Sequence, residues 1–504
     1  MSLAKKLFSG SAIRVTHLLL EILVGFLLMP FLISQLTEQW YGLWILVGSI
    51  TGFFTLLTLG LSSAVQRFLS YEISSQNYTE YRKTISSSLV VFGFAAGLCL
   101  LISWVISMST SYYVEDVELE RSFSILILLV GANFSIKFFS TPFVAALTAE
   151  FKFVLVSSIE IAGFVIKSLL TVYFVTEGYG VISIGMALLI GEAIANLCIA
   201  IIAFTRIKAF QFRLAFVDRA KLLELYKFGL NSFIATLGTM LRFPIGNVVI
   251  SVFLGLSSVT IYSIPVRLLN YADAFIVTSI GVLQPYFTKL YAEGKTEELK
   301  NKFFFANAIS FGLGGLLAGG LFVFGVDFIE LWVGDYKETR WLTYILPFSL
   351  MFGISQHPSI MILYTLGKHK YYAIQNLLEA LVNVALGLVL IQWFGIPGVA
   401  LGVVLPMLVT KVWLLPKYVC KQLETSFRSY FSAMLKVYFF VISYSSFWLY
   451  FDIKIKDWMD LILWALVYGG GYFVLYIYFI ADRSFRLHFR DLIFVRILKK
   501  HKPS

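Results

Sequence analysis

Charge is scarce in this 504-residue chain: only 14% of its residues are Asp, Glu, Lys or Arg, where soluble globular chains carry about 25%. Polar stretches long enough to form a separate soluble domain are also missing. Only three cysteines occur, Cys99 and Cys198 in apolar runs and Cys420 in a short basic loop. That leaves no basis for a disulfide framework or a metal cluster. No G-x-x-x-x-G-K-[ST] loop is present, which excludes a self-contained ATP-driven pump. Neither a nucleophile elbow nor a large loop outside the apolar runs appears, so an integral-membrane glycosyltransferase has nowhere to place its chemistry. The sequence calls for no cofactor and no metal. Its first apolar run is interrupted by Arg14, His17 and Glu21 and lacks a small-x-small site, unlike a cleaved signal peptide.

What the chain does have is hydrophobic length. Fourteen apolar stretches fill it, from 9–34 to 458–480, and a spanning helix needs about 20 apolar residues. Hydrophobic residues make up 59% and mean hydropathy is +0.83. The expected fold is all-α: a polytopic membrane protein of about 14 transmembrane helices. Most Lys and Arg fall on alternate loops and on both termini, which the positive-inside rule assigns to the cytoplasm. The net charge of +11 then reflects topology and attraction to anionic headgroups, not nucleic acid. The opposite loops are poorer in basic groups, and the acidic run from Glu115 to Glu120 reads as one of them, solvated.

A shift of about 220 residues superposes the first six stretches on the next six: Glu160 meets Glu379, and Gly180-Val181 meets Gly395-Ile396. The expected organisation is an N-lobe over 1–205, a basic interfacial linker over 206–225 with its Phe side chains dipping into the acyl boundary, a C-lobe over 226–420, two further helices over 421–482, and a basic tail over 483–504. An even number of spans keeps both repeats in one orientation, as in secondary transporters that carry substrate along a lobe interface.

Ionisable groups inside the spans are costly when lipid-exposed, roughly 2.5–3.5 kcal/mol near a helix centre, so they are expected to face an interior or a hydrated cavity. Lys227, Lys411, Lys417 and Asp460 are assigned to adjoining surfaces. Inside remain Arg14, Lys137, Lys167, Arg242, Arg267 and Lys436, with Glu21, Glu160, Glu192, Asp273 and Glu379. Arg14, His17 and Glu21 recur at i, i+3 and i+7, one stripe of a helix. That stripe lines a cavity where His17 or Glu21 exchanges a proton, or else forms an ion pair that only joins helices. Arg242 and Arg267 each lie close to a proline, where a helix bends. Fixed guanidinium groups suit an anionic substrate, above all a phosphate.

Tyr41-Gly42-Leu43-Trp44, followed by Leu56 to Ala64 and Arg67, resembles the opening of the bacterial polysaccharide flippases, the O-antigen and exopolysaccharide exporters of the multidrug/oligosaccharidyl-lipid/polysaccharide superfamily. The stretch from Tyr262 to Asn270, with Pro285 and Leu290 to Gly294, is similar to the family's eighth span and the loop after it. Gly395 to Gly402 is similar to its twelfth span. The family's frequent acidic residue is replaced here by Thr58, so its role does not carry over. The resemblance implies a polyprenyl (undecaprenyl) pyrophosphate-linked oligosaccharide as substrate, flipped across the bacterial inner membrane by alternating access. It also implies that Arg14, Arg67, Arg242 and Arg267 hold the pyrophosphate, with a polysaccharide polymerase and chain-length machinery as further partners. Ion coupling or cavity lining falls to His17, Glu21, Asp273, Lys137 and Lys167. A multidrug cation antiporter, a lipid II flippase and a non-transporting scaffold are the competing readings.

Overall fold

A computed structural model describes residues 3–58, 60–110, 116–207, 209–241, 244–281, 283–451 and 453–480; Arg242 and the basic tail over 483–504 lie outside them. Every regular element among the described residues is helical. The first compact unit, Met1–Thr260, contains α1 (Leu3–Gln35), α2 (Glu38–Gly52), α3 (Leu61–Ser74), α4 (Tyr78–Met108), α5 (Val117–Ala149), α6 (Phe153–Thr176), α7 (Ile182–Arg206), α8 (Arg219–Met240) and α9 (Pro244–Leu254). Helix α10 (Leu256–Gly281) leads into the second unit, Ile261–Ser504. There follow α11 (Gln284–Ala292), α12 (Thr296–Val333), α13 (Arg340–Ile345), α14 (Pro347–Ile354), α15 (His357–Thr365), α16 (His369–Phe394), α17 (Ile396–Val409), α18 (Leu415–Gln422), α19 (Phe427–Leu449) and α20 (Trp458–Leu475).

Twelve helical segments among the described residues are long and apolar enough to span a bilayer. The two further predicted spans correspond to α8–α9 and α10. The first of these is interrupted because Pro244, which has no N–H to bond backwards, opens α9. Predicted span 2 is likewise not one helix: after α2 the chain tightens to a 3₁₀ turn at Phe53–Thr58 and restarts beyond Gly60, whose φ is +70°.

Three sequence expectations need correction. The acidic run is not simply a solvated loop: Asp116 caps α5, accepting the Glu118 and Leu119 N–H groups at 2.9 and 3.0 Å, and Glu118 and Glu120 sit in the first turn. Carboxylates are favourable there against the helix dipole. Lys411 is not at a surface. Helices α17 and α18 are joined by a π-turn at Thr410–Leu414 into one rod, which carries Lys411 into the interior at 2% exposure, 3.3 Å from the equally buried Glu379. Thr410 also donates to Glu379. Third, Phe210 of the linker does not dip into lipid but stacks on Phe143 at 5.2 Å, with Phe204 edge-on.

The linker is bonded to the first unit along its length. Ser86 Oγ donates to the Gln211 carbonyl, and Ser87 Oγ accepts the Asp218 N–H at 3.1 Å. Toward its end, in the first turn of α8, Lys221 enters a cluster of carboxylates, 3.2 Å from Glu72 and Glu80 and 3.0 Å from Glu224. Burial opposes the Lys221 charge, but Glu224, Glu72 and Glu80 outweigh it and hold the ammonium above the usual lysine range. Burial in turn pushes the Glu72 carboxyl up, against the pull of Thr84 and Lys221.

In the second unit, α20 docks through a ladder of phenols. Tyr472 Oη donates to the Gly312 carbonyl at 3.0 Å and Tyr476 Oη to that of Ala308 at 2.6 Å. The approach depends on small residues, as lipid-embedded helix pairs generally do. A Cβ at Gly315 would sit 2.5 Å from Val441 Cγ2 and 2.6 Å from Tyr472 Oη.

Two outcomes follow for stability in detergent. Lys221→Met leaves Glu72 buried without its cation and costs about 3 kcal/mol; adding Glu72→Gln restores most of that loss in thermal unfolding. Gly315→Ala overpacks the α12–α20 contact and costs about 1–3 kcal/mol, whereas Gly469→Ala, with open space at its Cβ, leaves the unfolding temperature unchanged.

Candidate functional site

Four helices of the first unit enclose the site. Helices α6 and α7 cross closely at Gly163 and Gly191: a Cβ on Gly191 would lie 2.7 Å from the Gly163 carbonyl oxygen. Helix α5 packs on α7, and α1 on α6. Below the glycine crossing the four helices part around a cavity of about 280 Å³. Its wall carries His17 and Glu21 from α1, Lys137 and Thr141 from α5, Glu160 and Phe164 from α6, and Glu192 and Asn196 from α7.

Three carboxylates therefore share one cavity, and they are unequally paired. Glu21 faces His17 across 3.6 Å. Glu192 faces Lys167 across 3.9 Å, while the Lys167 ammonium also rests on the Phe164 ring at 4.8 Å. Glu160, half-buried, has no hydrogen bond or ion pair within 4.0 Å among the described residues. The charges acting on it at longer range are those of His17, Lys137, Glu192 and Arg14. The His17 Nε2 is buried and has no hydrogen-bond partner among the described residues. Asn196 spends its amide on the Glu192 carbonyl at 2.8 Å, which leaves its side-chain oxygen available.

Such a chamber can hold water: at about 30 Å³ per molecule it has room for several, and it falls just short of the ~300–1,000 Å³ typical of drug-sized sites. Its chemistry is that of exchangeable protons or a small cation among carboxylates. No group of three or more His, Cys, Asp or Glu side chains is arranged to hold a metal ion among the described residues.

The nominated residues divide accordingly. His17, Glu21 and Lys137 come together on the cavity wall, and Lys167 joins them through Glu192. Asp273 does not: it lies in the second unit, where α10 presents it to His357 of α15 at 3.4 Å. Arg14, one turn below His17, rests over the Phe153 ring at 5.0 Å. Arg67 is exposed on α3 and Arg267 on α10, and Arg242 lies outside the described residues. Glu160, Glu192 and Asn196 were not nominated as site residues. The available signal was polar side chains on two consecutive apolar helices, Glu192 and Asn196 being one turn apart.

Comparison with known proteins places this geometry. Residues 7–291 match the polysaccharide biosynthesis protein family. The chain is 23% identical over 420 residues, covering 81% of it and 82% of the relative, to an uncharacterized membrane protein, EpsK, of Bacillus subtilis (strain 168). Its fold is similar to that of the lipid II flippase MurJ in an inward closed conformation, with a TM-score of 0.73 at 14% identity over 95% of this chain and 99% of the other. It is also similar to an inward-facing multidrug resistance MATE family transporter of the MOP superfamily, with a TM-score of 0.66 at 16% identity over 82% of this chain and 99% of that one. At these identities the likeness is one of fold. This multi-pass membrane protein belongs to the polysaccharide biosynthesis protein family.

Proposed function

We propose that the chain flips a polyprenyl (undecaprenyl) pyrophosphate-linked oligosaccharide from the cytoplasmic to the outer leaflet of the bacterial inner membrane by alternating access, with both termini cytoplasmic. The family match over residues 7–291 carries this reading. In it, Arg14, Arg67, Arg242 and Arg267 contribute the cationic contacts to the pyrophosphate, because guanidinium stays charged when partly desolvated and meets phosphate oxygens in pairs. The domain boundaries read from the sequence, including two lobes of six helices each, belong to the same proposal. So do the polymerase and chain-length partners.

The cavity of the first unit is the energy-coupling element of this proposal. It is too small for a glycan, but its size and its three carboxylates suit protons or a small monovalent cation. Glu160 is the principal exchanging group, since Glu21 and Glu192 already face basic partners. His17 relays protons between Glu21 and the chamber. Asp273 with His357 is a second titratable pair, in the other unit.

One observation favours a rival: a chamber with more acidic groups than lysines also suits an antiporter of organic cations. The lipid II flippase reading rests on likeness of fold alone.

The deciding experiment uses a deletion strain and asks which leaflet holds the lipid-linked oligosaccharide. Accumulation on the cytoplasmic side, reversed by the wild-type gene but not by an Arg14→Ala, Arg267→Ala variant, is the expected outcome. Normal flipping in a strain without redundant transporters, together with drug sensitivity, would put the antiporter first. Within the flippase reading, Glu160→Gln lowers flipping at least about tenfold, as loss of a general acid–base group does, and flattens its pH dependence, while Phe164→Leu leaves that dependence in place.

A further inference from the structure

A second cavity, in the second unit, opens beside the contact of Tyr476 with Ala308. About 380 Å³ in volume, it opens between α12, the first three turns of α19 and a π-turn at Tyr476–Ile480 that ends α20. Besides Tyr430, whose hydroxyl bonds to Asn307, α19 contributes Ser429, Ser432 and Lys436 to its wall. Their spacing of i, i+3 and i+7 puts them on one face of the helix. Lys436 is the only charged residue in the wall, and among the described residues it has no ion pair or hydrogen bond.

The two hydroxyls are equally unengaged. A serine or threonine inside a helix usually donates back to a carbonyl of the preceding turn, and this chain follows the habit at Ser49, Thr171 and Thr205. Ser429 and Ser432 do not; neither hydroxyl has a partner among the described residues. By contrast, the other polar groups of the wall are occupied. Asn307 donates to the Phe303 carbonyl and accepts from Tyr430, and Tyr476 donates to Ala308. Two hydroxyl donors and one ammonium are thus turned toward an open volume, a set that matches a phosphate oxygen cluster.

The surroundings specify how that phosphate is carried. Phe304 and Phe479 flank the cavity, and Phe479 is 68% exposed, so an apolar chain has rings to lie against. Lys436 sits nine residues past Phe427, roughly 14 Å along the axis, within reach of the headgroup layer by snorkelling toward the exposed basic residues Lys417, Lys421 and Arg428. A free ion gains nothing from those rings, whereas a lipid presents its phosphate and its chains together.

We propose that the α12–α19 cavity binds the phosphate of an anionic membrane phospholipid, with Lys436, Ser429 and Ser432 holding the headgroup and Phe304 and Phe479 flanking its chains. The site is independent of the flipped substrate and does not require transport. The test uses the purified full chain in detergent, with retention of phosphatidylglycerol and of phosphatidylcholine followed by native mass spectrometry. Wild type retains phosphatidylglycerol about fivefold over phosphatidylcholine, the scale expected for one basic group near anionic headgroups. Lys436→Gln abolishes the preference, Lys436→Arg keeps it, and Ser429→Ala with Ser432→Ala weakens it; Lys368→Gln, at an exposed lysine elsewhere, leaves it intact. Lys436 is exposed and unpaired, so the substitution leaves thermal unfolding of the lipid-free protein unchanged. Equal retention of the two lipids, an undiminished preference in Lys436→Gln, or displacement of the lipid by millimolar inorganic phosphate would each overturn the proposal.

Discussion

A carboxylate drawn into a hydrocarbon layer must be either paired or kept wet, and the rest of this structure is arranged around that alternative. Glu379 takes the first course: Lys411 lies at 3.3 Å, Thr410 bonds to it, and both charged residues are almost fully buried. Glu160 takes the second, facing a chamber with no bond of its own among the described residues. Both occur on a long helix packed along its successor, α16 on α17 and α6 on α7. The difference lies in what the facing helix supplies. Helix α17 continues through a π-turn that brings a lysine inward, while α7 supplies Glu192 and Asn196. One arrangement fixes a charge in place; the other leaves a carboxylate facing an open chamber.

Close contact between helices comes from a different source. Apolar burial gives little net attraction between helices already surrounded by lipid, so shape and interhelical hydrogen bonds decide which faces meet. In the first unit the solution is a glycine crossing, Gly163 against Gly191. In the second it is phenol against glycine, with Tyr472 and Tyr476 bonding to carbonyls that the small residues of α12 leave accessible. The same small residues set where the helices must part, and cavities open next to both contacts.

Much of this was legible from residue order alone. Hydropathic length is the strongest signal a sequence carries, and it located the spans and the helical class. The i, i+3, i+7 stripe at Arg14, His17 and Glu21 indicated a polar face, and two of its members line the chamber. What could not be read depends on partners distant in sequence. Glu160 and Glu192 were visible as costly residues, yet nothing local marks them as neighbours of His17; that follows from the packing of α1 on α6. Lys411 was misplaced because a lysine near the end of an apolar run was counted with the adjoining surface, while a π-turn lets the helix carry it inward. Phe210 read as a membrane anchor because an aromatic beside basic residues looks the same whether its ring meets lipid or another ring. The capping role of Asp116 was obscured by its acidic neighbours.

The buried pair of Glu379 and Lys411 also bears on how the sequence can drift over generations. Loss of either partner alone leaves an uncompensated charge in the interior, a cost of about 3–5 kcal/mol against a total stability of about 5–15 kcal/mol. An apolar substitution of both together would be nearly neutral. The two positions, on separate helices and 32 residues apart in the chain, are therefore under selection as a unit. Single steps away from the pair are penalised, whereas a joint replacement is not.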